Sequence, residues 1–238
     1  RASWEEGESI KDIMPLNSTG IVTARDSLVV DMDQSELIKR ITLFSDPTKT
    51  DDDIRKIFYG SKKAGKYLPG DTRGWSLSKA RQTIQHFSHE EIVKCVTYRP
   101  FDDRFIYYCP EMVDWGRESL MNTMICQNNI ALVVTRQAIT DRWANVFISK
   151  NIVDDSMVSN RTKERGYVFP LFLSNGFPNL SDTFITKMSK AIGIKVQPTR
   201  HAHEAFTPFD ALSYIYAILY SNKYREKYSD QLKVDFAR

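Results

Sequence analysis

Apolar positions change rhythm along the chain. Near the start they recur at helical spacing, in the middle they crowd into short runs, and toward the end helical spacing returns. Asp33 with Glu36 predicts a capping box, and Met32 with Leu37 the hydrophobic staple beside it. A helix is therefore expected over about 34–43, stopped before Pro47. Thr50 with Asp53 starts a short helix ending near Gly60, and Ser76 starts another through about Gln85. Strands are expected over 91–98, 104–109, 129–135, 145–149 and 166–173, where β-branched and aromatic side chains concentrate. Pro170 places the last of these at a sheet edge or on a bulge. Ser181 caps a helix stapled by Leu180 and Ile185 and closed by Gly193. Thr207 opens the next with Pro208 at its first position, and Phe209, Leu212, Ile215, Tyr216 and Leu219 form one stripe. The Tyr/Lys/Arg-rich stretch 221–233 makes a last helix. The class is α+β: a central, mostly antiparallel or mixed sheet with helices at both ends of the chain and a C-terminal helical segment. In linear order, 1–20 reads as a segment from an upstream domain or linker, 21–175 as a recognition core, and 176–238 as a helical subdomain packed on it.

At 238 residues, 42% hydrophobic and 12% aromatic, the chain can bury a real core, which excludes a disordered tail. No apolar run approaches the roughly 18 residues of a membrane helix, so no membrane partner is expected. The polar, acidic start is no signal peptide, and it lacks an initiator Met, so the chain is expected to be part of a longer protein. Cys95, Cys109 and Cys126 lack metal-ligand spacing and read as small core residues in a reducing, cytoplasmic setting.

Charge changes this picture. Residues 1–53 carry six Lys/Arg against twelve Asp/Glu, whereas 55–81 carry eight against Asp71 alone. So sharp a swing fits a segment facing a polyanion, although a merely solubilising loop stays open on charge alone.

Familiar catalytic motifs fail. The segment from Gly60 to Tyr67 matches a phosphate loop up to Lys66, but puts Tyr67 where a Mg²⁺-ligating hydroxyl is needed and follows a helix instead of a strand. There is no G-x-G-x-x-G, no G-x-S-x-G elbow, and no acid followed two residues later by Lys. His201 and His203 read as a solvated loop. No catalytic residue and no metal site is expected.

Four blocks stand out: 16–26 (Leu16 to Asp26), 66–75 (Lys66 to Trp75), Tyr98-Arg99-Pro100-Phe101-Asp102-Asp103-Arg104 with the strand after it, and Ser159-Asn160-Arg161-Thr162-Lys163 with the strand 166–171. Together with the tyrosine-rich tail they closely resemble the C-terminal target-recognition region of type ISP restriction–modification enzymes, and similar blocks occur in related type IIG enzymes. The resemblance runs from about residue 14 to the end. Ala237 departs from it, standing where the family usually has Pro. The methyltransferase motif N-P-P-Y/F and its Gly-containing cofactor motif are absent from these residues. The resemblance therefore implies a sequence-specific reader of double-stranded DNA. Its partner would be an upstream adenine-N6 methyltransferase domain of the same polypeptide. It implies no cofactor for this fragment, and S-adenosylmethionine, ATP and Mg²⁺ for the parent, which methylates and cleaves DNA.

Phosphate positioning falls to Lys62, Lys63, Lys66 and Arg73, in a loop with Gly65, Pro69 and Gly70. Base reading needs paired donors and acceptors, which two loops supply. One is Arg136-Gln137 with Arg142 further on; the other is Ser159, Asn160, Arg161, Thr162 and Lys163. Arg99 and Arg104 around Asp102 and Asp103 leave an internal ion-pair network and a DNA contact both open. Trp75, Trp115 and Trp143 read as core or interface aromatics. Two other functions compete: an interdomain scaffold without base readout, and a standalone nuclease or NTPase, which the missing metal ligands disfavour.

Overall fold

The computed structural model describes residues 2–60, 65–126, 128–139, 142–162, 164–194 and 206–238. Its strands are β1 (Ser18–Thr19), β2 (Val30–Asp31), β3 (Val93–Arg99), β4 (Asp102–Tyr107), β5 (Ala131–Thr135), β6 (Val146–Ser149), β7 (Ile152–Val153) and β8 (Gly166–Pro170). They form two four-stranded sheets, ordered β1-β8-β5-β6 and β2-β4-β3-β7. The class is α+β, with helices before, between and after the strands.

By contact the chain falls into two compact units. The first comprises Arg1–Gly20, Thr97–Phe101 and Arg117–Arg238; the second comprises Ile21–Val96 and Asp102–Gly116.

In the first unit β8 pairs antiparallel with β1 on one side and β5 on the other, and β5 pairs antiparallel with β6. Leu132, Val134 and Phe169 share a core with Ala211, Leu212, Ile215, Leu219, Leu232 and Phe236 from the C-terminal elements. Strand alternation sends Val133 and Val168 to the opposite face, and these too are buried. All of β5 is thus buried, which explains its unbroken apolar run. The helix Pro208–Tyr220 has the Thr207–Asp210 capping box and Pro208 in its first turn, as expected. The helix Asp182–Ile192 starts at Ser181, whose Oγ accepts from the Phe184 amide, and stops at left-handed Gly193 (φ 71°).

In the second unit the helices Gln34–Ser45, Asp51–Tyr59 and Leu77–Ile84 bury Leu37, Ile41, Phe44, Ile54, Leu77 and Ile84. Carbonyls at and just beyond the end of the first helix are satisfied by a side chain. Buried Arg81 donates to the carbonyls of Phe44 (2.7 Å), Asp46 (2.7 Å) and Lys49 (2.9 Å), and pairs with Asp51. Trp75 donates its indole N–H to the Glu111 carbonyl at 2.6 Å, and the Arg25 guanidinium lies 4.2 Å from its ring centroid.

Several expectations are corrected. Strand β8 is interior; Pro170 is tolerated because β1 pairs only with residues 167 and 168, leaving its missing N–H outside that ladder. Residues 171–173 lie beyond the strand, and 91–92 belong to the short helix His89–Ile92. Met32 is 71% exposed, so it cannot staple Leu37; the Asp33 amide instead donates to Asp31 at 3.0 Å, turning the chain into the helix. The 221–233 segment forms two short helices, Asn222–Lys227 and Ser229–Leu232, broken at Tyr228. Tyr228 leaves helical geometry with its ring against Trp4 at 5.2 Å. Of the cysteines only Cys109 is buried, and burial pushes its thiol up to about 12; Cys95 and Cys126 are exposed.

Candidate nucleic-acid interface

In the first unit, the register of β5 on β8 sets the geometry. Thr135 at the end of β5 faces Gly166 at the start of β8. The segment leaving β5 and the segment entering β8 therefore share one end of the sheet. These are the two segments singled out for base reading.

Each is fastened from within. Buried Trp143 donates its indole N–H to the Thr135 carbonyl at 3.2 Å, which holds residue 143 against the end of β5. On the other side, Ser159 Oγ accepts the amides of Arg161 and Thr162, both at 3.2 Å, making a compact polar turn. Glu164 joins the two. Its side chain is buried, accepting from Thr162 Oγ1 at 2.8 Å through one oxygen and from the Ile139 amide at 2.9 Å through the other. A buried carboxylate is tolerated only when so bonded.

Apart from exposed Ile139, what this frame displays is polar. Arg136, Arg142, Asn160, Arg161 and Thr162 are exposed, while Gln137 and Ser159 are half-buried. Arg136 is held by Asp235 at 3.1 Å, a surface pair that a phosphate or base edge can outcompete at little cost. Lys163 lies outside the described residues. Sequence reasoning missed Glu164 and Asp235. An isolated acid reads as solvated surface, and nothing local marks it as a brace.

The second unit carries the basic segment, and part of its charge turns inward. Buried Arg55 grips Asp71 with both terminal nitrogens at 3.1 Å, and Arg81 serves the interior as described. The net charge of this stretch thus overstates its surface field. Asp71 also accepts the Leu77 amide at 2.8 Å, and Gly70 (φ 94°) sits so close to Tyr59 that an added Cβ would meet the ring at 2.5 Å. On this fixed pedestal Lys66 and Arg73 are exposed. Lys62 and Lys63 lie outside the described residues, as do His201 and His203.

The third block resolves into ion pairs: Arg99 with Asp154 at 2.9 Å, and Arg104 with Asp102 at 2.7 Å. Trp75 and Trp143 are buried, whereas Trp115 is exposed. Asp155 is a further buried carboxyl of the first unit, besides Glu164 and Asp154. Desolvation raises the Asp155 pKa, opposed by Arg165 and Arg117. Its neighbour Gly20 packs so tightly that a Cβ would lie 2.5 Å from the Val153 carbonyl oxygen. The Leu16–Asp26 block is thus partly a close-packing signature.

Residues 12–238 match the family described as the Type ISP C-terminal specificity domain. No curated protein matches the chain. Among solved structures, the chain resembles part of a DrdV–DNA complex seen by cryo-EM (TM-score 0.65, 19% identity, 95% of this chain and 21% of that one). It also resembles part of a nuclease-deletion mutant of the Type ISP restriction–modification enzyme LlaGI in complex with a DNA substrate mimic (TM-score 0.58, 19% identity, 97% and 17%). A third is the ATP-dependent Type ISP enzyme LlaBIII bound to DNA (TM-score 0.62, 14% identity, 98% and 14%). At these identities the likeness is one of fold. The chain spans about a fifth or less of the length of these proteins.

Proposed function

The chain belongs to the Type ISP C-terminal specificity domain family, and from that premise we propose that it reads double-stranded DNA for a larger restriction–modification enzyme. The observation that carries this reading is the shared sheet end: Thr135 opposite Gly166, with Glu164 bracing both polar segments beside them. In this reading Arg136, Gln137, Arg142, Ser159, Asn160, Arg161, Thr162 and Lys163 enter the major groove. Arginine suits guanine, and Asn or Gln suits adenine. Lys62, Lys63, Lys66 and Arg73 take backbone phosphates.

The parent would methylate adenine-N6 and cleave DNA, with the upstream methyltransferase domain as partner and the bacterial cytoplasm as setting. S-adenosylmethionine, ATP and Mg²⁺ would be held there. Among the described residues no group of three or more His, Cys, Asp or Glu could hold a metal, and no step through these groups is assigned to this chain. Nor is any helix among the described residues long and apolar enough to cross a membrane.

The test is binding by the parent enzyme of duplexes containing its own site or a scrambled one. Arg136→Ala and Asn160→Ala should each narrow the gap between the two by about 1–3 kcal/mol, the worth of a bidentate base contact. Equal loss on both duplexes would make the segments positioning elements, and no loss would remove them from the interface.

A further inference from the structure

Within the segment leaving β5, one exposed side chain departs from its neighbours. Ile139 is 57% exposed, whereas Arg136 is charged and Gln137 polar. Its backbone is held firmly. The Ile139 amide donates to buried Glu164 at 2.9 Å, and Ala138 just before it packs against the core of the first unit. Glu164 also takes the Thr162 hydroxyl, so Ile139 hangs on the same brace that joins the two polar segments. Its side chain is β-branched and stiff, with little rotamer freedom to lose on contact.

A branched aliphatic group so presented can bond neither a phosphate nor the donors and acceptors of a base edge. Placed against a polar edge, it would strip that edge of water and return no hydrogen bond. In the major groove a single base carries an apolar mark: thymine, whose C5-methyl projects there. We infer that Ile139 reads a thymine of the target site through this methyl group. The inference rests on the DNA-reading function proposed above and names one base that the segment selects. Arg136 and Gln137 would supply its hydrogen bonds and Ile139 its apolar contact. The site of an adenine-N6 methyltransferase holds at least one thymine, opposite the target adenine. 5-Methylcytosine carries the same methyl group, so the test separates the two.

The measurement is competition binding by the parent enzyme of duplexes carrying its own site. Each thymine is replaced singly by deoxyuridine, which removes the methyl and keeps every hydrogen-bonding group. Wild type should lose about fourfold in affinity at one thymine, the worth of one buried methyl group. Ile139→Ala should bind the thymine and deoxyuridine duplexes of that position equally, and Ile139→Val should keep most of the difference. Because the side chain is exposed, Ile139→Ala should leave the thermal midpoint of the DNA-free parent unchanged. A wild type indifferent to deoxyuridine at every position overturns the proposal. So does an Ile139→Ala variant that keeps the full wild-type penalty. A lowered midpoint for DNA-free Ile139→Ala overturns it too, because the side chain then packs against another part of the parent. In the last arm each cytosine is replaced singly by 5-methylcytosine. A gain there that needs Ile139 moves the contact to a modified cytosine and overturns the thymine assignment. If wild type fails to prefer its own site over a scrambled one, the DNA-reading function itself falls. If it keeps that preference and only the deoxyuridine response is missing, the Ile139 assignment alone falls.

Discussion

One buried and one half-buried polar side chain show how single residues set this architecture. Glu164 satisfies one backbone amide and one hydroxyl from two different segments. Truncating it removes two part-buried hydrogen bonds to a carboxylate, a loss of about 1–3 kcal/mol. Glu164→Ala should therefore lower the denaturant midpoint by that equivalent and loosen discrimination between DNA sites; an unaltered midpoint would show that the two segments are braced elsewhere. His89 is the second case. Its Nε2 lies 3.1 Å from Ser45 Oγ and its Nδ1 2.9 Å from the Tyr107 hydroxyl, and burial lowers its pKa below the usual 6.5. The unfolded chain therefore takes up a proton before the folded one does. Stability is full above about pH 6.5 and falls as pH drops from there through the folded value. Urea melts from about pH 8 to 5 should show this decline, and His89→Gln should flatten it; an equal decline in the variant would assign the dependence to other groups.

Elements were legible wherever local chemistry decides them. Thr50, Ser181 and Thr207 mark helix starts because a side-chain oxygen meets an orphaned amide within the next turn, and all three do so. Thr50→Ala should cost about 1 kcal/mol of stability by chemical denaturation; no change would mean that Asp53 alone holds the first turn. Where partners are distant, the sequence was silent. Pro170 argues for an edge locally, but the shortness of β1 rather than the position of β8 is what accommodates it. Arg55 and Arg81 look like surface charge in the one-dimensional tally, and only the fold shows them serving carbonyls and carboxylates up to 37 positions away. The two segments proposed to read bases were found as polar stretches beside β-rich runs. Their adjacency follows from the β5–β8 register, which no local pattern encodes.

At the scale of the molecule, the proposed function makes the 238 residues a recognition part of a larger enzyme, in which recognition is separable from chemistry. The scaffold around β5 and β8 is apolar and buried, while the side chains offered at its end are polar and mostly exposed. Specificity should therefore be alterable there without disturbing the fold. The direct test is to replace residues 136, 137, 160 and 161 together with alanine in the parent enzyme and sequence the DNA positions it methylates. The account predicts that methylation persists but spreads to sites differing from the original at one or more base pairs. A methylation pattern identical to the wild type would contradict it.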